Sequence, residues 1–175
     1  MTKAITAKAK KIKLLILDVD GIMTDGSINI DDQGVELKKF NVHDGFAIVL
    51  FRKTGHKVAL ISARAAKAVE VRAKDLKIDR VYQAAHPKTA AYNELKKEFQ
   101  LKDDEICFMG DDLPDLGVLK AAGLAVTVPN AAPEAKKLAD YITKHPGGHG
   151  AVREVVEIIL KAQGHWKNIV KEFSS

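Results

Sequence analysis

The chain has one cysteine, Cys107, set in the apolar run Ile106-Cys-Phe-Met. A lone thiol excludes an internal disulfide. Its apolar neighbours mark it as an inert buried side chain, which fits a reducing, cytoplasmic location. No apolar run approaches the roughly 20 residues that cross a bilayer, so no membrane role is expected. Residues 1–13 are rich in Lys and Ala but lack the apolar centre of a signal peptide, and they contain no arginine; they read as a short solvated lead-in. The net charge is +5, yet the lysines are scattered rather than gathered in a stripe with aromatics. That argues against a nucleic-acid partner and leaves an anionic small molecule as the expected one. The glycine-rich phosphate loop of P-loop nucleotide hydrolases is missing, and so is any serine–histidine–acid pattern.

What is present centres on residues 12–26, Ile-Lys-Leu-Leu-Ile-Leu-Asp-Val-Asp-Gly-Ile-Met-Thr-Asp-Gly. A short apolar run bounded by turn signals suits a strand buried on both faces, as in a parallel sheet. It ends in Asp18 and Asp20, one residue apart. Acids after a strand also start turns or cap helices. Two carboxylates crowded at one strand end, however, repel unless a cation or a proton lies between them.

With 175 residues and 46% apolar content, the chain suits one domain, residues 1–175. Residues 27–42 alternate around the turn Asp31-Asp32-Gln33-Gly34 and predict a β-hairpin, which needs something to pack on. Asp44 is expected to cap a helix that ends at Gly55. Strands follow at Lys57–Ile61, Val81–Tyr82, Ile106–Met109 and Leu124–Val128, with another at Tyr141–Ile142. Helices are expected between them, one opened by Pro87 with Lys88 in its first turn. Val152, Val155, Val156, Ile159 and Leu160 form the core face of a long C-terminal helix, within a terminal segment of about residues 151–175.

Alternating strands and helices predict an α/β fold with a parallel sheet and helices on both faces, whose ligands bind beyond the carboxyl ends of the strands. Three strands end in polar groups: Asp18 and Asp20, then Ser62, then Asp111 and Asp112. Lys88 reaches the same rim. Four carboxylates make a hard, oxygen-rich site that suits Mg²⁺. A lysine and a hydroxyl beside it suit a phosphoryl group. One carboxylate can serve as nucleophile and a second as the acid for an alkoxide leaving group, two posts that Asp18 and Asp20 can fill.

Asp18-Val-Asp-Gly, Ser62, Lys88 and Gly110-Asp-Asp-x-x-Asp115 together resemble the four ordered motifs of the haloacid dehalogenase superfamily. Thr24-Asp25-Gly26, Val42-His-Asp-Gly45, Ile61-Ser-Ala-Arg64 and Gly147-Gly-His-Gly-Ala-Val-Arg-Glu154 narrow the resemblance to the 3-deoxy-D-manno-octulosonate (KDO) 8-phosphate phosphatases, nearly end to end. The resemblance implies a Rossmannoid sheet without a separate cap domain, a homotetramer joined through the hairpins, and a step in lipopolysaccharide precursor synthesis. It implies Asp18 as nucleophile and Asp20 as acid/base. Mg²⁺ would lie on Asp18, the Asp20 carbonyl and Asp111, with Asp112 in support. Ser62 and Lys88 would grip the phosphoryl oxygens, while Arg64, Gly148, His149 and Arg153 would face the sugar acid. Ala63, His43 and His149 depart from the glycine and arginines common in the family. Related nonulosonate 9-phosphate phosphatases share some of these marks. A phospho-receiver or oligomerisation module is the reading from another class, and Asp20 argues against it.

Overall fold

The computed structural model describes residues 2–174. In chain order the elements are α1 (Lys3–Ala9), β1 (Leu14–Leu17), β2 (Asn29–Ile30), β3 (Glu36–Leu37), α2 (Val42–Lys53) and β4 (Lys57–Ile61). Next come α3 (Lys67–Asp75), β5 (Arg80–Tyr82), α4 (Lys88–Glu98), β6 (Ile106–Met109) and α5 (Leu116–Ala121). The chain continues through β7 (Leu124–Thr127), α6 (Pro133–Leu138), β8 (Tyr141–Ile142), α7 (Ala151–Ala162) and α8 (Trp166–Glu172). No helix among the described residues is long and apolar enough to cross a membrane.

Six strands form one sheet in the order β5-β4-β1-β6-β7-β8, every pair parallel. The chain builds outward from β1 to β5 on one side, then crosses back and builds from β6 to β8 on the other. The strand order therefore reverses around β1, and a crevice opens at the carboxyl ends of β1, β4 and β6. Leu14 to Leu17 are all buried, as the unbroken apolar run predicts for a central parallel strand. Each such side chain contributes about 1.5–3 kcal/mol on burial. Helices α1, α2, α7 and α8 pack together as one group, and α4, α5 and α6 as another; both groups contact the sheet.

Two expectations are corrected. The lead-in is not simply solvated: residues 3–9 form α1, with Ile5, Ala9 and Ile12 buried and the helix packed on α7. Thr2 caps it, its Oγ1 accepting from Ile5 N at 3.3 Å. The signal was an apolar stripe at helical spacing inside a Lys-rich segment. Nor is Asp44 the cap of α2. Asn41 takes that post, accepting from His43 N at 2.8 Å and Asp44 N at 3.3 Å. The buried Asp44 carboxylate instead accepts from Gly150 N (3.2 Å) and Arg153 N (2.7 Å), so it caps α7 across the fold.

The expected hairpin forms, with Asn29 opposite Leu37 and Ile30 opposite Glu36. Its polarity is inverted: Ile28, Ile30, Val35 and Leu37 face outward and are exposed, while Lys38 just beyond β3 is tucked in.

At the start of α7, Glu154 ties down the preceding loop by accepting from Tyr141 Oη (2.6 Å), Lys144 N (3.0 Å) and His145 N (3.2 Å). Burial by itself would raise its pKa, but Tyr141, His145 and the two backbone N–H groups outweigh burial and hold it below the usual glutamate value. A depressed carboxylate stabilises the fold above its unfolded pKa, and that contribution is lost as pH falls through the folded value. Glu154→Gln is expected to cost about 1 kcal/mol at pH 7, a modest figure because the group still meets water. Urea unfolding at a series of pH values checks this: the gap from wild type should shrink as the solution is acidified below the unfolded glutamate pKa.

Candidate active site

Asp18 N donates to Met109 O at 2.9 Å, which carries the β1–β6 pairing one residue past the end of β1 and fixes where Asp18 leaves the sheet. Ser62 follows β4, and its N–H donates to Tyr82 O at 2.8 Å. Gly110 and Asp111 follow β6, and Lys88 opens α4. Asp18, Asp20, Ser62, Arg64, Lys88, Asp111 and Asp112 line one cavity of about 290 Å³, together with Asp115. The sheet thus gathers at one rim the acids, hydroxyl and lysine that the sequence spreads over four segments.

The centre of the cavity is an ion cluster. Lys88 Nζ lies 2.8 Å from Asp18 Oδ1 and 2.6 Å from Asp115 Oδ1, with its side chain only 2% exposed. Burial disfavours the ammonium, but Asp18 and Asp115 more than compensate and raise its pKa, so Lys88 is a fixed cation. Asp18 is pushed up by burial and by the charge of Asp115, with Lys88 opposing. Asp111 is pushed up to about 7 by burial first, then by Asp115 and Asp112. One ammonium among several carboxylates leaves a surplus of negative charge.

Such a surplus is what a divalent cation relieves. Asp18, Asp111 and Asp115 each offer an oxygen within 4.8 Å of the others. Asp111 Oδ1 is buried without a hydrogen-bond partner among the described residues. An orphaned carboxylate oxygen in an all-oxygen set fits a hard ion such as Mg²⁺. Gly21, in left-handed backbone at φ +86°, leaves the space that Asp111 occupies: a Cβ there would lie 2.1 Å from Asp111 Oδ2.

Ser62 Oγ accepts from Arg64 N at 3.2 Å, and its own hydrogen remains to donate. His149 and Arg153 line a different cavity in this single chain, alongside His43 and Tyr141. Arg153 pairs with Glu157 at 2.6 Å and lies over the Trp166 ring at 5.0 Å, so its guanidinium is engaged on the α7 surface. Gly148 supports the acid loop through its backbone, donating from N to Ile22 O at 3.0 Å.

Sequence reasoning gave Asp115 too little weight. It is fully buried, holds Lys88, and accepts from Asp111 N (2.9 Å) and Asp112 N (3.1 Å). Lys38 was missed altogether, although the hairpin's period of two sets it on the same face as Glu36. Its Nζ lies 2.5 Å from Asp20 Oδ1 and 2.8 Å from Glu36 Oε1.

A sequence profile for haloacid dehalogenase-like hydrolases matches residues 80–155. The 3-deoxy-D-manno-octulosonate 8-phosphate phosphatase of Escherichia coli (strain K12) is 43% identical over 160 residues, 91% of this chain and 85% of that one. The chain belongs to the KDO 8-phosphate phosphatase family. The Yersinia pestis member of this phosphatase family is 45% identical over 156 residues, 89% of this chain and 83% of its own. The crystal structure of the Moraxella catarrhalis KDO 8-phosphate phosphatase, in complex with magnesium ion, phosphate ion and a KDO molecule, superposes with a TM-score of 0.97. It is 39% identical and covers 99% of each chain. The parallel sheet with its small separate hairpin is therefore the haloacid dehalogenase-like fold of the KDO 8-phosphate phosphatases.

Gly21→Ala should weaken Mg²⁺ binding by roughly an order of magnitude or more, because the new methyl and the Asp111 carboxylate claim the same space. Calorimetric titration of variant and wild type with Mg²⁺ checks this without recourse to turnover.

Proposed function

We propose that the chain hydrolyses KDO 8-phosphate to KDO and inorganic phosphate, with Mg²⁺ as cofactor, through an aspartyl-phosphate. The observation that carries this reading is the meeting of Asp18, Lys88 and Asp111 in one cavity, in a chain 43% identical to a KDO 8-phosphate phosphatase. The all-oxygen donor set supports Mg²⁺, held by Asp18, the Asp20 carbonyl and Asp111 with Asp112 beside it, where the ion would offset charge on the transferring phosphoryl group.

In this reading an Asp18 carboxylate oxygen attacks phosphorus and the bond to the sugar oxygen breaks. Asp20 gives its proton to the leaving alkoxide, then takes one from the water that attacks the aspartyl-phosphate. Phosphate departs and Asp18 is restored. Lys88 orients Asp18 and faces the phosphoryl oxygens, and the Ser62 hydroxyl donates to another of them. Asp115 holds Lys88 and the backbone of residues 111–112, so it acts on position rather than on substrate. Arg64 at the cavity mouth suits the sugar carboxylate. His149 and Arg153 would contribute only where another copy brings surfaces together.

The hairpin and C-terminal segment are then accessories of one phosphatase domain. The outward apolar face of Ile28, Ile30, Val35 and Leu37 supports a homotetramer joined there. The lone buried thiol and absence of a spanning helix among the described residues suit a cytoplasmic enzyme.

Phosphate release from KDO 8-phosphate and a nonulosonate 9-phosphate tests the reading. KDO 8-phosphate should be preferred, with activity lost on chelation and restored by Mg²⁺; equal rates or preference for the longer sugar would overturn the substrate. Asp18→Asn should remove turnover, by about 10⁴-fold or more, while circular dichroism remains native. Asp20→Asn should slow turnover by about 10²–10⁴-fold and leave a phosphoenzyme detectable by intact-mass measurement after rapid quenching.

A further inference from the structure

Lys38 sits oddly for a hairpin residue. Its apolar neighbours on the hairpin are exposed, Leu37 by 60%, yet its own side chain is only 2% exposed. Burying an ammonium is costly unless it is paired and hydrogen-bonded. Here it bridges Asp20 Oδ1 and Glu36 Oε1, while Glu36 Oε2 holds an Arg64 guanidinium nitrogen at 3.0 Å. Among the described residues Lys38 is also the only hydrogen-bond partner of the Asp20 carboxylate. An acid/base group must keep one oxygen aimed at the reacting oxygen, and Asp20, with its side chain 24% exposed, has in Lys38 a buried partner that can hold the other.

We propose that Lys38 is the positioning residue for Asp20: it holds Oδ1, so that Oδ2 hands the proton to the leaving alkoxide and takes one from the attacking water. This rests on the acid/base role proposed for Asp20. Lys38 keeps its own protons throughout. Glu36 shares the ammonium, so Lys38 remains paired when Asp20 carries a proton. The hairpin thereby has a role inside the reaction as well as on the outer surface, and Glu36 joins the acid/base arm to Arg64 at the cavity mouth.

The test compares Lys38→Met, which keeps the side chain's length but not its charge, with Glu36→Gln, Asp20→Asn and wild type. Each is first matched for oligomeric state by size-exclusion chromatography. With KDO 8-phosphate, an alkyl ester whose leaving group needs a proton, Lys38→Met should lower kcat roughly 10- to 100-fold while KM moves less than about threefold. With p-nitrophenyl phosphate, whose leaving group departs without a proton, the first-turnover burst should fall less than about threefold, followed by slow steady-state release. Glu36→Gln, which loosens the lysine rather than removing it, should show the same pattern at smaller amplitude, and it carries the test if Lys38→Met does not fold.

An unchanged kcat on KDO 8-phosphate, or an aryl burst lost as severely as the alkyl rate, would overturn the positioning role; the latter marks Lys38 as a general anchor of the fold. Asp20→Asn separates the two readings. If Asp20→Asn retains wild-type turnover, the acid/base assignment itself falls. If it is inactive while Lys38→Met is unaffected, only the inference about Lys38 falls.

Discussion

The structure turns on an unequal count of charges at the carboxyl end of two neighbouring strands. Lys88 is the one ammonium buried among Asp18, Asp111 and Asp115, and it pairs with only two of them. Left alone, such a cluster would lose stability to desolvation and like-charge repulsion. The parallel sheet tolerates it because β1 and β6, whose own side chains are all buried, pair with each other and are flanked by β4 and β7. Stability spent at the rim is recovered in the core below it. The same imbalance prepares the site for a divalent ion, whose charge would offset the surplus and let an anionic phosphate approach the carboxylates.

Much of this was legible in the sequence, and for a definite reason. Central parallel strands are apolar without interruption, so Leu14–Leu17 and Ile106–Met109 stand out against their surroundings, and each is followed at once by its acids. Motif order then placed Ser62 and Lys88 at the same rim. What escaped was set by contacts between distant segments. Asp44 looks like a local helix cap, but its hydrogen bonds go to Gly150 and Arg153. Asp115 looks like a helix-start acid until it is seen holding Lys88 and two backbone N–H groups. Lys38 lies in a hairpin where exposure is the norm, and only the packing of that hairpin over the rim reveals its burial. For α1 the reason differs: lysine content hid a narrow apolar stripe that was present all along.

The two halves of the rim are built on different principles. On the side of β1 and β6, geometry is fixed by backbone pairing and by the buried lysine. On the side of the hairpin, a chain of ion pairs runs from Asp20 through Lys38 and Glu36 to Arg64. The first is rigid and suits a reacting phosphorus. The second rests on Glu36 of the two-stranded ribbon and Lys38 just beyond it, which tie the loop after β1 to the segment after β4.

One contact behind the acids bears on how the phosphate pocket can be disturbed. Gly147 lies against the loop that follows the acids so closely that a Cβ would sit 1.8 Å from Gly21 O. The turn leading into α7 is thus pressed directly onto the backbone carrying the acids, with no side chain to act as a cushion. A side chain at position 147 would therefore displace the Gly21–Ile22 peptide, and with it the stretch of cavity wall that Gly21 forms.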